Sequence, residues 1–206
     1  MKYTPTIVLG IDQAKASGWA IATPGGRVLQ HGLAKHHGER EDALHEALRY
    51  AHHAADDLLV VFEDHGAISL SYGGRKRADG QDQAPKRNAA MLLGLGAARG
   101  RWDELLDGIG HPEVLRLKVT PRDWRARVLG VGQSIGTDAL KRRAVEWATR
   151  HVGREVTDHN EAEGICICAW GAIDGVAVLA HQRKATRMVS RVKRAAQKQL
   201  ALEEGS

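Results

Sequence analysis

Two apolar runs that each end in a carboxylate constrain this chain more than any other feature. The first run, TIVLGID, covers residues 6–12, and the second, DDLLVVFED, covers residues 56–64. Apolar runs of this length, rich in β-branched residues, are typical of buried strands. Asp12 and Glu63 are the first polar residues after the two runs, and a carboxylate at such a place costs free energy unless it is paired or coordinates a cation. The sequence therefore predicts two buried strands, each closing on an acid.

The other segments predict a mixed α/β fold in which helices flank a five-stranded sheet. A short PGG turn joins two further strand patterns and predicts an antiparallel hairpin. Strands are predicted at residues 6–12, 18–23, 27–34, 56–64 and 112–120. Helices are predicted at residues 39–54, 88–106, 121–130, 137–151 and 158–179. If the first and fourth strands are parallel neighbours, Asp12 and Glu63 come within a few ångströms of each other.

Positive charge is distributed unevenly along the chain, whose formal net charge is +5. Residues 183–198 contain many lysines and arginines and no acid, and a second basic cluster occupies residues 73–88. Basic stretches of this kind favour a polyanion such as nucleic acid, although a solvated tail kept for solubility is the alternative. We divide the chain into a domain at residues 1–180 and a basic, helical tail at residues 181–206.

Several protein classes are disfavoured by what the sequence contains. No uninterrupted apolar run is long enough to span a bilayer, and the N-terminus lacks the pattern of a signal peptide. Cys166 and Cys168 lie in one apolar helix pattern, which predicts small buried side chains and neither a disulfide nor a zinc site. The sequence predicts a cytoplasmic protein, in a bacterial or phage-infected cell, with no membrane partner.

A third acidic point lies in VTDHNEAEGICICAWGA, residues 156–172, where acids precede a small and apolar helix pattern. The alternative is an ordinary helix start with Thr157 or Asp158 as the N-cap. Asp12 could likewise only cap a turn, and Glu63 could form an ion pair with an arginine such as Arg125. Taken together, three acidic points beside basic segments favour phosphodiester chemistry that uses two Mg²⁺ or Mn²⁺ ions about 3.5–4 Å apart.

The ordered set of motifs resembles the RuvC family of Holliday junction resolvases, in its compact, phage-type form. The motifs are IVLGIDQAKASGWAI, VVFED, NAAMLLGLGAARGRW, VTPRDWRARVLG, KRRAVEWA and DHNEAEGICICAWGA, and they span about residues 6–175. The resemblance implies an RNase H-like fold, a homodimer, and Mg²⁺-dependent cutting of two symmetric strands at a four-way DNA junction. It also implies roles in DNA recombination and repair.

The resemblance assigns site residues position by position. Asp12 matches the first-strand aspartate that bridges the metals, and Glu63 matches the glutamate of the fourth strand. The family has an Asp-x-x-Asp pair on the last helix, which falls here on Asn160 and Glu163. Asn160 brings an amide oxygen but no charge, so Asp158 or His159 remains an alternative ligand.

Basic and aromatic residues are assigned to DNA in the same way. Arg125 and Lys141 match the positions that face the scissile phosphate, and their alternative is a solvated helix face. The loop 65–83 matches the segment that enters the junction core. Its candidates for stacking on a base and holding the backbone are Tyr72, Arg75, Lys76 and Arg77. Tyr72 could equally pack against the base of its own loop.

Three functions remain after the sequence alone. The first is an endonuclease that cuts branched DNA with two metal ions. The second is a catalytically weak protein that binds branched DNA and kept the fold, which Asn160 and Glu163 motivate. The third is an ATPase of the actin and sugar-kinase type, which shares the opening strand–turn–strand. An ATPase of this type requires a second glycine-rich phosphate loop and a longer chain. The sequence shows neither, so no nucleotide cofactor is expected.

Overall fold

The computed structural model describes residues 6–54, 57–63, 86–109, 114–131 and 135–181; within the helix that starts at residue 86, the side chains of residues 86–96 and 99 are outside the description. The candidate DNA-contacting residues Tyr72, Arg75, Lys76 and Arg77 lie outside the described residues. The basic tail beyond residue 181 also lies outside them.

A mixed five-stranded sheet forms the centre of the described structure. Its strands are β1 (Thr6–Ile11), β2 (Ser17–Ala22), β3 (Val28–Ala34), β4 (Asp57–Glu63) and β5 (Val114–Val119). The spatial order is β3-β2-β1-β4-β5. The first three strands pair antiparallel, whereas β4 lies parallel to both β1 and β5. The predicted five strands and the hairpin are confirmed, and the two acid-terminated strands are the parallel neighbours that the approach of Asp12 to Glu63 requires.

In the described part of the chain, five α-helices cover the two faces of the sheet. They are α1 (His37–Ala54), α2 (Lys86–Ile109), α3 (Pro121–Trp124), α4 (Thr137–Val152) and α5 (His159–Trp170). One core cluster joins α1 and α2 to side chains such as Leu9 and Ile11 of β1. The other joins α4 and α5 to the opposite side of the same strands, including Val8. Because side chains alternate along a strand, neighbouring residues of β1 enter different cores.

Two helices depart from the simple segments that the sequence predicts. The segment expected as one short helix begins as α3 and continues as a π-helical turn, Arg125–Leu129. Thr120 starts it, because its Oγ1 accepts a hydrogen bond from the Asp123 backbone and Pro121 stands at the first helical position. The last helix contains a second π-helical turn, Gly171–Gly175. A π-helical turn inserts one residue into the helical register, which periodicity in a sequence does not reveal.

Helix α5 crosses the sheet at unusually short range because small residues line the contact. A Cβ atom placed on Gly164 would lie 2.5 Å from the carbonyl carbon of Gly18 in β2, and one on Gly10 would lie 2.2 Å from the backbone nitrogen of Cys168. Cys168 is fully buried and its thiol donates to the Val8 carbonyl oxygen at 3.4 Å. The prediction of two small, buried cysteines outside any disulfide is confirmed.

The helical stretch from His159 to His181 is long and apolar enough to cross a membrane by length and composition alone. More than half of its most apolar window is buried inside the protein. The buried residues of α5 pack against β1 and β2, as the core helix of a globular protein does. Its composition is therefore accounted for by packing on the sheet.

Candidate metal centre

Asp12 and Glu63 come together because β1 and β4 are parallel and in register. Ile11 lies opposite Phe62, so the next residues of the two strands, Asp12 and Glu63, leave the sheet side by side. Both carboxylates are buried, with exposed fractions of 5% and 2%. The backbone N–H of Asp12 donates to the Gly18 carbonyl oxygen at 2.9 Å, which holds the turn that follows β1.

Glu163 adds the third carboxylate from the first turns of α5. Oxygen atoms of Asp12, Glu63 and Glu163 all lie within 4.8 Å of one another. The N-cap Asp158 positions the helix, because its Oδ1 accepts from the backbone N–H groups of Asn160 and Glu161 at 2.8 and 3.3 Å. The sequence allowed either an N-cap or an acidic site at this helix, and the structure contains both.

Burial makes all three carboxylates costly to ionise, and neighbouring carboxylates add to that cost at Asp12 and Glu163. Burial raises the pKa of Asp12 well above its ordinary range, and the charges of Glu163 and Glu63 raise it further. Burial also raises the pKa of Glu63 and of Glu163. Carboxylates this close favour either a shared proton or a hard cation. The donor set fits Mg²⁺ or Mn²⁺, because it offers carboxylate oxygens and, among the described residues, no thiolate or imidazole within the group.

Glu63 is oriented by the two residues at the junction of α3 and the first π-helical turn. The indole Nε1 of Trp124 donates to Glu63 Oε1 at 3.2 Å, and Arg125 Nη2 lies 3.5 Å from the same oxygen. The Arg125 guanidinium carbon also lies 5.1 Å from the centre of the Trp124 ring. Both partners lower the pKa of Glu63, against the larger effect of burial. The Glu63–Arg125 ion pair that the sequence allowed as an alternative is thus present within the acidic site.

Further cationic groups act on Glu163. The charges of Arg125, His159 and Lys141 each lower its pKa, although burial dominates and the net shift is upward. Lys141 lies on α4 and His159 is the first residue of α5, so the positive charge comes from two helices. The acidic group therefore has basic residues beside it on the side of α4 and α5.

Asn160 and Glu161 lie on different faces of α5, at its start. Asn160 precedes Glu163 by three residues and lies on the same helix face, with its backbone against Gly18. Glu161 contacts the opposite side, where its Oε1 lies 2.7 Å from His31 Nδ1 of β3. Arg154 Nε in turn donates to His31 Nε2 at 2.8 Å. The Glu161 carboxylate therefore contacts His31 and does not belong to the acidic group.

Comparison with solved structures identifies the architecture. The structure of Thermus thermophilus RuvC in complex with a Holliday junction substrate matches with a TM-score of 0.52 and 15% sequence identity, over 83% of this chain and 95% of that one. The fold is that of RuvC. Another Thermus thermophilus RuvC structure matches with a TM-score of 0.49 and 16% identity, over 83% of this chain and 96% of that one. No protein-family model and no curated protein matches the RuvC-like chain.

The resemblance to RuvC in the sequence is thus confirmed at the level of the fold. Of the residues predicted for the site, the structure brings Asp12, Glu63 and Glu163 into one group, with Arg125 in contact with it. The sequence reasoning missed Trp124, whose indole orients Glu63. A tryptophan in a short helix carries no signal for this role, because it is equally typical of a core residue, and Trp124 is fully buried.

Proposed function

We propose that this protein is a metal-dependent endonuclease that cuts four-way junctions and other branched DNA by paired phosphodiester cleavage. The observation that carries the proposal is the convergence of Asp12, Glu63 and Glu163 within 4.8 Å on a RuvC fold. Three clustered carboxylates, two of them buried and the third half-buried, are costly without a cation, so a role in binding divalent cations accounts for a feature that stability alone does not. The RuvC with the same fold was solved with a Holliday junction substrate.

In this proposal the three carboxylates and the amide oxygen of Asn160 hold the cations. Bound Mg²⁺ would supply an activated water and charge stabilisation of the leaving oxygen. Trp124 holds one oxygen of Glu63 through its indole N–H. This hydrogen bond also sets the direction of the second oxygen of the same carboxylate. Asp158 contributes by capping α5, which places Asn160 and Glu163 at the start of a rigid helix.

Arg125 and Lys141 are proposed to neutralise the scissile phosphate. Arg125 is held beside Glu63 and over the Trp124 ring, and its side chain remains 29% exposed, so it can reach a strand laid across the acidic group. A cation held in this way stabilises the extra negative charge that develops on a phosphate during hydrolysis. Lys141 approaches the same place from α4.

Two further parts of the proposal concern the whole reaction. Paired cuts require two sites, which a homodimer would supply. The residues proposed to enter the junction core are Tyr72, Arg75, Lys76 and Arg77, through stacking and backbone contacts. The natural setting would be DNA recombination or repair in a bacterial or phage-infected cytoplasm.

The test is cleavage of an immobile four-way junction, labelled on each strand in turn, by the parent and by Asp12→Asn, Glu63→Gln and Glu163→Gln. We expect the parent to cut with Mg²⁺ or Mn²⁺, but not with EDTA, and to leave linear duplex of the same sequence intact. Each variant should lose at least about a hundredfold in rate, because removal of one ligand charge weakens capture of the cation. Binding of the junction, measured by fluorescence anisotropy in EDTA, should persist.

Glu161→Gln is the matched control, because it removes a carboxylate from the same helix that contacts His31 instead of the acidic group. We expect it to cut at nearly the parental rate. A parent that binds junctions tightly but never cuts, with any divalent cation, would overturn the nuclease proposal. It would favour the second candidate, a catalytically weak junction-binding protein, for which the specific observation is Asn160 at the position of an expected aspartate.

A further inference from the structure

Two helices bind the turn between β1 and β2, residues 12–16, and the first residue of β2, Ser17, on the side away from α4 and α5. From α1, Arg40 Nη2 donates to the Lys15 carbonyl oxygen at 3.2 Å. From α2, Trp102 Nε1 donates to Ser17 Oγ at 3.1 Å, and Ser17 Oγ donates to the Ala14 carbonyl oxygen at 2.9 Å. The turn begins at Asp12, so this surface borders the metal centre.

Arg40 is the unusual residue of this surface. It has no exposed area, and its Nε and Nη1 atoms have no hydrogen-bond partner within the part of the chain that the structure describes. Burial lowers the pKa of Arg40, and the charge of Arg101 lowers it further, whereas Glu39 has a smaller opposite effect. A guanidinium that is buried, largely unpartnered and repelled by a second cation is stabilised when an anion binds nearby.

The two residues beside Arg40 are exposed cations. Lys15 lies on the turn itself, and Arg101 precedes Trp102 in α2. Both acids adjacent to Arg40 are directed elsewhere: the Glu39 carboxylate accepts the backbone N–H groups of Lys35 and His36, and Glu41 Oε1 lies 3.7 Å from His45 Nε2. Within the described residues, neither Lys15 nor Arg101 forms an ion pair. Exposed positive charge therefore lies on the turn that begins at Asp12 and on the part of α2 packed beside it, with no ion pair to either cation among the described residues.

We propose that Lys15 and Arg101, supported by the buried charge of Arg40, form a second phosphate-binding site that holds the DNA backbone on the α1 and α2 side of the metal centre. Lys15 and Arg101 contact phosphate oxygens directly. Arg40 is a positioning residue that fixes the Lys15 backbone and adds positive potential from below. With Arg125 and Lys141 on the other side, the strand would be held on both sides of the acidic group. The proposal deepens the proposed function and rests on it for the identity of the ligand as DNA.

The test measures binding of a labelled four-way junction and of a linear duplex in EDTA, over a series of salt concentrations, for Lys15→Gln and Arg101→Gln. Each phosphate that the protein ceases to neutralise lowers the slope of log affinity against log salt by about 0.9. We expect each variant to show that reduction and roughly 3- to 10-fold weaker binding at physiological salt. Arg27→Gln is the matched control, since Arg27 is an exposed arginine in the turn at the opposite end of the sheet, and it should bind like the parent.

A second arm identifies the contact with the phosphate itself. Single neutral methylphosphonate substitutions along the junction strand should reveal a position that weakens parental binding but not binding by Arg101→Gln.

Arg40→Gln keeps a donor for the Lys15 carbonyl. It should weaken binding but lower the salt slope less than Lys15→Gln or Arg101→Gln does. If Arg40→Gln fails to fold, the two exposed variants still decide the matter. Parental slopes and affinities in both would overturn the proposal. Because binding is measured without metal, a protein that binds but never cuts sinks the proposed nuclease and leaves this site standing.

Discussion

At the level of single residues, Asp12 shows what the proposed metal centre costs in stability. Its carboxylate is buried beside Glu63 and Glu163, and burial followed by those two charges raises its pKa well above the ordinary value of 3.8. The unfolded chain therefore releases this proton at lower pH than the folded chain. As pH rises above the ordinary value, the free energy of unfolding of the metal-free protein falls until the folded pKa is passed.

Replacement of Asp12 by asparagine should therefore stabilise the metal-free protein at neutral pH. The gain is about 1.4 kcal/mol for each unit by which the folded pKa exceeds its ordinary value, which is about 2–4 °C in melting temperature per kcal/mol for a domain of this size. Melting curves in EDTA from acidic to neutral pH should show this gain shrinking as pH approaches about 4. Added Mg²⁺ should raise the melting temperature of the parent more than that of Asp12→Asn. A parent that is the more stable of the two at neutral pH in EDTA would contradict the account.

Asn160 gives the second prediction at this scale. Asn160→Asp would add a fourth carboxylate on the helix face of Glu163, so the protein should reach half-maximal cutting at a lower Mg²⁺ concentration and lose stability in EDTA at neutral pH. Asn160→Ala, which removes the amide oxygen, should need more Mg²⁺. The measurement is the cutting rate against Mg²⁺ concentration for the three proteins. Identical Mg²⁺ curves would show that Asn160 does not take part in cation binding.

At the level of elements, the position of α5 decides whether the third carboxylate reaches the other two. The helix can approach the sheet only because Gly164 faces Gly18 and Gly10 faces Cys168, with no side chain between the backbones. The capped first turn and this close contact together fix Glu163 against the ends of β1 and β4. The glycines of the NEAEG segment and of the GWA segment are therefore part of the site's geometry.

Gly164→Ala tests this dependence. The new Cβ would lie 2.5 Å from the carbonyl carbon of Gly18 and 2.6 Å from the backbone nitrogen of Trp19, so the helix or the strand must move. We expect a loss of about 1–3 kcal/mol in the free energy of unfolding, and a fall of about a hundredfold in cutting, since small misplacements of a reacting group have effects of that size. Gly108→Ala, in α2 with no atom within 4 Å of the added carbon, should be neutral or slightly stabilising. Parental cutting by Gly164→Ala would mean that the contact does not position Glu163.

The elements also show which parts of the fold a sequence can reveal. The acid-terminated strands were predictable, because an apolar run that stops at a carboxylate marks both a buried strand and its polar end. The N-cap of α5 was predictable from an acid before a helical pattern. The two π-helical turns were not, since one extra residue leaves the apolar pattern almost unchanged. The hydrogen bond from Trp124 to Glu63 and the burial of Arg40 depend on contacts between distant segments, which no local sequence pattern predicts.

At the level of the whole molecule, charge is arranged around the acidic centre. Arg125 and Lys141 stand on the side of α4 and α5, and Lys15 and Arg101 stand on the side of α1 and α2, so the DNA path that we propose has cations on both sides. The net charge of +5 alone would not reveal this arrangement, because lysines and arginines on exposed helix faces are common. The structure adds that Arg125 and Lys141 act on the acidic group, and that Lys15 lies on the turn that begins at Asp12.

The basic tail, which lies outside the described residues, extends this argument to the affinity for DNA. Residues 183–198 contain Arg183, Lys184, Arg187, Arg191, Lys193, Arg194 and Lys198 and no acid. A protein truncated after Gln182 should bind junctions more weakly in EDTA, and its slope of log affinity against log salt should fall by about 0.9 for each phosphate that the tail had neutralised. Cutting with Mg²⁺ at low salt should persist, because the proposed ligands remain.

A full-length protein with these seven residues changed to glutamine separates charge from chain length. If the tail acts through phosphate contacts, this variant should show the same reduction in salt slope as the truncated protein. A truncated protein with the parental slope would show that the tail only keeps the protein in solution. A neutralised tail that binds like the parent, beside a truncated protein that binds weakly, would instead point to packing of the tail against the domain. The salt slope thus distinguishes a binding segment from a solubilising one, because only phosphate contacts release counterions.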